Sequence, residues 1–181
     1  MVTLSPLAAS QAALRPTTFR ARAPQALRFR TVPIPAALAH AARETRRSPQ
    51  YGHPAHRERA AGYGPCRLCL ETFRVGEEDR LLFTYNPFDG LDPYPSPGPV
   101  FVHADGCEAF AQPAGFPEAL RALPLTLEAY GSGRWPVSRE RVVGGDVDGA
   151  VERLFAHPAV AYIHVRNSEA GCYIARLERL P

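Results

Sequence analysis

The stretch Val160-Ala161-Tyr162-Ile163-His164-Val165-Arg166, then Asn167-Ser168-Glu169-Ala170-Gly171, then Cys172-Tyr173-Ile174-Ala175-Arg176-Leu177-Glu178-Arg179-Leu180 has two alternating runs around five turn-forming residues. A period of two marks strands with one buried face, and Asn and Gly suit a reversal between them. The stretch predicts a β-hairpin. Pairing Arg166 with Cys172 puts Ile163, Val165, Tyr173, Ala175 and Leu177 on one face. Tyr162, His164, Arg166, Cys172, Ile174 and Arg176 then share the other. One face builds core and the other is polar.

Working outward from the hairpin, Asp146 is a good N-cap for a helix through Val147, Ala150, Val151, Leu154 and Phe155, stopped before Pro158. Leu123 to Tyr130 alternates as a half-buried strand, and Arg139 to Val143 is a further candidate. A short helix is expected around Pro117 to Arg121. Three more strands, Cys66 to Leu70, Arg80 to Tyr85 and Pro99 to His103, form a meander, with Val75 to Asp79 turning between the first two. Leu27 to Val32 reads as a strand, Pro35 opens a helix that fades in the basic run Arg43 to Arg47, and Ser48 to Gly64 reads as loop. The fold class that follows is α+β: one domain, a mostly antiparallel sheet, about three helices on one side and the terminal β-hairpin.

The chain has 181 residues, enough for one domain of ordinary size and short for two. No apolar run approaches the roughly 18 residues of a membrane-spanning helix, so a soluble protein without a membrane partner is expected. All 21 basic residues are Arg, which excludes Lys Schiff-base chemistry and a Walker-type phosphate loop. Residues 1–60 carry a net +8 and residues 61–181 a net −5, so the basic balance belongs to the N-terminal part. Residues 1–26 lack acids and resemble a transit peptide in composition. The reading preferred here is a disordered extension, or a start assigned too far upstream, ahead of a domain over residues 27–181.

Four cysteines are too few for a small secreted disulfide scaffold, and a C-x-x-C pair points to a reducing, cytoplasmic compartment. Cys66-x2-Cys69 and His103-x3-Cys107 supply a Cys3His set of the kind that holds structural zinc. His103 and Cys107 could share a face of a helix starting after the strand that ends near Val102. A regular strand over Cys66 to Leu70 would instead point the two thiols to opposite faces, leaving all four residues as small core and strand-end side chains. Both readings stand at this point. On the polar face of the hairpin, His164, Arg166 and Cys172, with Glu169 in the turn, form a candidate site for a small anionic ligand. A Cys172 nucleophile with His164 as base is the enzymatic alternative. The loop Asn86 to Gly98, with four prolines and two glycines, is long enough to cover that face. Its Asn86, Asp89, Asp92 and Tyr94 read as turn formers rather than cation ligands. The arginines Arg15, Arg20, Arg22, Arg28 and Arg30 could track a phosphate backbone, but no nucleic-acid module accompanies them.

The runs Gly64-Pro65-Cys66-Arg67, Leu81-Leu82-Phe83-Thr84-Tyr85, Gly98-Pro99-Val100-Phe101-Val102-His103 and Tyr162 to Asn167 with Gly171-Cys172-Tyr173 together resemble a bacterial family catalogued as domain of unknown function 1203. The likeness runs from about Leu27 onward. It implies one compact bacterial domain and carries over no catalytic residue.

Overall fold

The computed structural model describes residues 28–112 and 114–181. The extension expected over residues 1–26, with Arg15, Arg20 and Arg22, lies outside them. Among the described residues, eight strands and two α-helices run in the order β1 (Phe29–Val32), α1 (Ala36–Thr45), β2 (His56–Arg59), β3 (Asp79–Tyr85), β4 (Gly98–His103), β5 (Leu125–Tyr130), β6 (Pro136–Arg141), α2 (Val147–Ala156), β7 (Tyr162–Asn167) and β8 (Tyr173–Arg179). They form a five-stranded sheet in the order β1-β8-β7-β5-β6 and a three-stranded sheet in the order β2-β3-β4, every pairing antiparallel. This is an α+β architecture with two α-helices rather than three. The expected helix at Pro117 to Arg121 is a single 3-10 turn over Glu118–Leu120, too short to add a further layer.

Sequence patterning explains most elements. Asp146 caps α2 by accepting from the Gly149 N–H (3.0 Å), and Val147, Ala150, Val151, Leu154 and Phe155 line its buried face. That face packs on Leu125, Leu127, Ala129, Ile163, Val165 and Leu177 of the large sheet. Each fully buried Val, Leu, Ile or Phe among them contributes about 1.5–3 kcal/mol. α1 instead packs against the small sheet, where Ala39 and Ala42 meet a second cluster that includes Leu81, Phe83, Val100 and Val102.

Three readings change. The hairpin forms, but its register places Ile163 opposite Leu177 and His164 opposite Arg176, two residues along from the expected pairing. An irregularity between Val165 and Arg166 then sets Arg166 opposite Tyr173. Tyr173 therefore packs with His164 and the second cluster, while Ile174 joins the first. The third strand of the meander is His56–Arg59, which carries no apolar alternation. Cross-strand ion pairs Arg80–Glu58 (2.6 Å) and Arg57–Asp79 (2.8 Å) accompany its pairing instead, as suits a charged edge strand. Cys66 to Leu70 is a turn, closed by the Leu70 N–H on the Cys66 carbonyl (3.0 Å) and flanked by a bridge between Pro65 and Thr72.

That turn lies between the two clusters. Leu70 enters the first, and Cys66 and Leu68 enter the second. Arg67 is buried within it, donating through Nε to the Tyr173 carbonyl (2.8 Å) and through a terminal nitrogen to the Pro65 carbonyl. Burial pulls the Arg67 pKa down to about 10. Replacing Arg67 with Met strands both carbonyl acceptors, at about 1–3 kcal/mol each. Urea unfolding should show a loss of about 2–6 kcal/mol, against near-neutral effects for the exposed Arg139→Met.

Candidate functional site

The four residues of the Cys3His set converge. Cys66 and Cys69 come from the turn, His103 ends β4, and Cys107 follows in the next loop; their ligand atoms all lie within 4.8 Å of one another. No helix begins after His103, so the expected shared helix face is replaced by an irregular loop that turns at Gly106, where φ is 106°. The Cys66 and Cys107 sulfurs are 3.7 Å apart, and Cys69 Sγ is 3.4 Å from His103 Nδ1. Tetrahedral zinc with Zn–S near 2.3 Å and Zn–N near 2.0–2.1 Å spaces two sulfurs by about 3.8 Å and a sulfur and nitrogen by about 3.5 Å.

The bend that a strand would not allow spans Arg67 to Cys69, closed by the Leu70 N–H on the Cys66 carbonyl, and Leu70 carries the chain out of it with φ at +62°. A left-handed leucine costs roughly 1–2 kcal/mol, and complete burial of its side chain in the large core offsets that. The turn also aims backbone N–H groups at the sulfurs: that of Cys69 at Cys66, and that of Glu71 at Cys69. The Cys66 thiol is pushed down by hydrogen bonds from Cys107 and Cys69, and the Cys69 thiol is pushed up by its contacts with Cys107 and Cys66 and by burial. His103 is raised to about 10, chiefly by hydrogen bonding to Cys107 and Cys66.

A second layer surrounds the cluster. His103 Nε2 faces Glu78 Oε2 at 3.5 Å, leaving Nδ1 toward the sulfurs; a carboxylate in that position fixes a ligand imidazole's tautomer and orientation. Glu78 is itself held by the Arg74 backbone N–H (2.8 Å) and guanidinium (2.8 Å). Arg43 of α1 donates to the His103 carbonyl (2.8 Å) and to Cys107 Sγ (3.4 Å). Sequence reasoning missed Glu78 and Arg43, because neither is near the ligands in sequence and each has an ordinary local explanation as turn acid or helix-end cation. Cys69, His103 and Cys107 line a cavity of about 530 Å³ that opens beside Glu71 and Arg74.

The hairpin residues are arranged differently. His164 is completely buried, and among the described residues no hydrogen bond reaches either ring nitrogen. Arg166 donates through Nε to Glu128 Oε2 (2.6 Å) and through a terminal nitrogen to the Gly171 carbonyl (3.1 Å). Cys172 Sγ faces the Ala170 carbonyl at 3.7 Å, and Glu169 lines a separate cavity with Tyr63 and Arg121. Among the described residues, the four share a hairpin without a mutual hydrogen bond, and the contact of the Cys172 sulfur is with the Ala170 carbonyl. Asn86, Asp89, Asp92 and Tyr94 do form turns: Asn86 Oδ1 accepts from the Phe88 and Ser96 N–H groups, and Asp92 Oδ1 accepts from that of Tyr94.

A family model described as protein of unknown function (DUF1203) matches residues 63–179. The chain belongs to this family. The matched region begins after β2 and takes in the Cys3His cluster, Glu78, and both strands of the hairpin, whereas β1 and α1 lie outside it. No curated protein and no solved structure matches the chain. Among the described residues, no helix is long and apolar enough to cross a membrane.

Burial, aided by the charges of Arg166 and Arg176, holds the His164 pKa down to about 3. The other groups facing it are Tyr130, Tyr162 and Tyr173, with Phe88. An unfolded histidine titrates near pH 6.5. The folded state thus binds fewer protons than the unfolded state below that pH, so stability is complete above about 6.5 and declines as pH falls toward 3. Urea midpoints between pH 7.5 and 4.5 should fall more steeply in the native protein than in His164→Leu, and the His164 ring resonances should stay unshifted over that range.

Proposed function

We propose that this is a non-catalytic binding domain whose small sheet is stapled to its neighbouring turn by one structural zinc ion held by Cys66, Cys69, His103 and Cys107. The observation that carries the metal reading is the convergence of four ligand atoms within 4.8 Å. Three thiolates and one imidazole fill a tetrahedral shell and leave no position for water or substrate, which makes the ion a staple rather than a catalyst. Three thiolates with Zn²⁺ carry a net charge of about −1, which suits the Arg43 guanidinium at Cys107 and the buried Arg67 beside Cys66. Packing alone explains the cluster less well, because Cys69 and Cys107 are only partly buried and His103 has a carboxylate behind it. The binding half of the reading is supported by Phe88, from the loop over residues 86–98, lying against His164, a buried imidazole without hydrogen-bond partners among the described residues.

Elemental mass spectrometry of protein purified without a chelator or a histidine tag should find about one zinc per chain. Cys69→Ser should lose the metal together with thermal stability. A metal-free native protein with an unchanged Cys69→Ser variant would return all four residues to ordinary packing. Glu78→Gln keeps the ligand set and should weaken zinc affinity by about 10–100-fold in competition with a chromogenic chelator.

A further inference from the structure

A neutral imidazole carries one N–H donor and one acceptor nitrogen, and in His164 both are stranded inside the protein. Buried polar atoms nearly always have partners, and exceptions cluster where a fold reserves a group for function. Four aromatic rings enclose this one: Phe88, Tyr162, Tyr130 and Tyr173, with centroids 4.9, 5.0, 5.1 and 5.1 Å away. Tyr130, Tyr162 and Tyr173 stand on β5, β7 and β8 and are fixed by the sheet. Phe88 alone comes from a loop, whose base is cinched by Asn86.

Phe88 is a phenyl ring seated over an imidazole with the Arg134 guanidinium 4.6 Å from its centroid. Arg134 also donates to the Tyr94 carbonyl (3.0 Å), tying the loop to the β5–β6 turn by an exposed contact. Behind the Tyr130 ring, a cavity of about 310 Å³ lined by Glu128, Tyr130, Pro136 and Arg139 opens to solvent. Glu128 pairs with Arg166 (2.6 Å), and Glu178 is held by Arg30 (2.6 Å) more closely than by Arg176 (3.2 Å), so the arginines on this side outnumber the acids that face them, and among the described residues Arg134 enters no ion pair.

We propose that His164 and its ring cage bind a small single-ring aromatic anion. The ligand takes the place of Phe88, hydrogen-bonds His164 through a hydroxyl or carboxyl group, and sets its charge against Arg134. Phe88 is the displaceable lid. The inference rests on the binding-domain reading above and is independent of the metal, so zinc can be absent while the cage still binds, and the reverse.

The test is titration of the full chain with 4-hydroxybenzoate, followed by calorimetry and by the His164 ring resonances. Saturable binding that shifts those resonances is expected. His164→Leu should weaken it at least about tenfold, the loss of one hydrogen bond to a buried group. Arg134→Gln, at a partly exposed position whose guanidinium lies over Phe88, should weaken it about fivefold or more through the lost charge. Toluene, the same ring without polar groups, should fail to compete. The proposal is overturned by no saturable response up to about 10 mM, by unchanged affinity in both variants, or by toluene binding as tightly as the acid.

Discussion

The constraint on which the rest of the molecule depends is the turn from Pro65 to Thr72, held between two sheets that share no strand. Its backbone bonds to three separate parts of the chain and the Arg67 side chain to a fourth. The Arg67 carbonyl accepts from Ile34 and the Arg67 N–H donates to Phe101, the Leu68 carbonyl accepts from Phe110, and the Arg67 side chain reaches Tyr173. Its side chains serve both cores, its bend over Arg67 to Cys69 brings Cys66 and Cys69 together, and a left-handed Leu70 leads the chain out of that bend. A residue in that backbone region persists only where the surroundings over-determine it. Here burial of Leu70 and the hydrogen bonds of the turn do so.

Electrostatics divides the molecule into two regimes. On the small sheet, arginines pair with acids at the surface: Arg57 and Arg59 with Asp79, and Arg80 with Glu58. Such pairs contribute little each and mainly order an edge strand. Inside, arginine acts on groups that do not carry a full opposing charge by themselves. Arg67 bonds two carbonyls, and Arg43 bonds a carbonyl and approaches a sulfur. A sequence without lysine can place cations in these positions because the guanidinium is less strongly hydrated and offers several donors in a plane.

Much of the fold was legible in the residue pattern. β1, β3, β4, β5, β6, both α-helices and the hairpin follow from apolar spacing, a capping Asp146 and turn residues. His56–Arg59 was not legible because an edge strand held by ion pairs has no buried face to alternate. Cys66 to Leu70 was misleading for the opposite reason. Its apolar residues mimic a strand while dividing between two cores, and a leucine in the left-handed region has no local signature. The Cys3His types and spacing were readable, yet the helix expected to unite His103 and Cys107 is absent, and a loop turning at Gly106 does that work.

By itself the sequence determined the α+β class, the extent of most strands, the ligand types of the candidate metal centre and the exclusion of lysine chemistry. These are properties of residue identity and short-range periodicity. Only the tertiary structure decided that the four ligands meet, that Glu78 and Arg43 back them, and that His164 lies beneath Phe88 rather than beside Cys172. Those outcomes depend on contacts between segments dozens of residues apart and on a hairpin register set by an irregularity at Arg166. A period-two pattern does not show a shift of two residues, because sliding by a full period leaves every side chain on the same face.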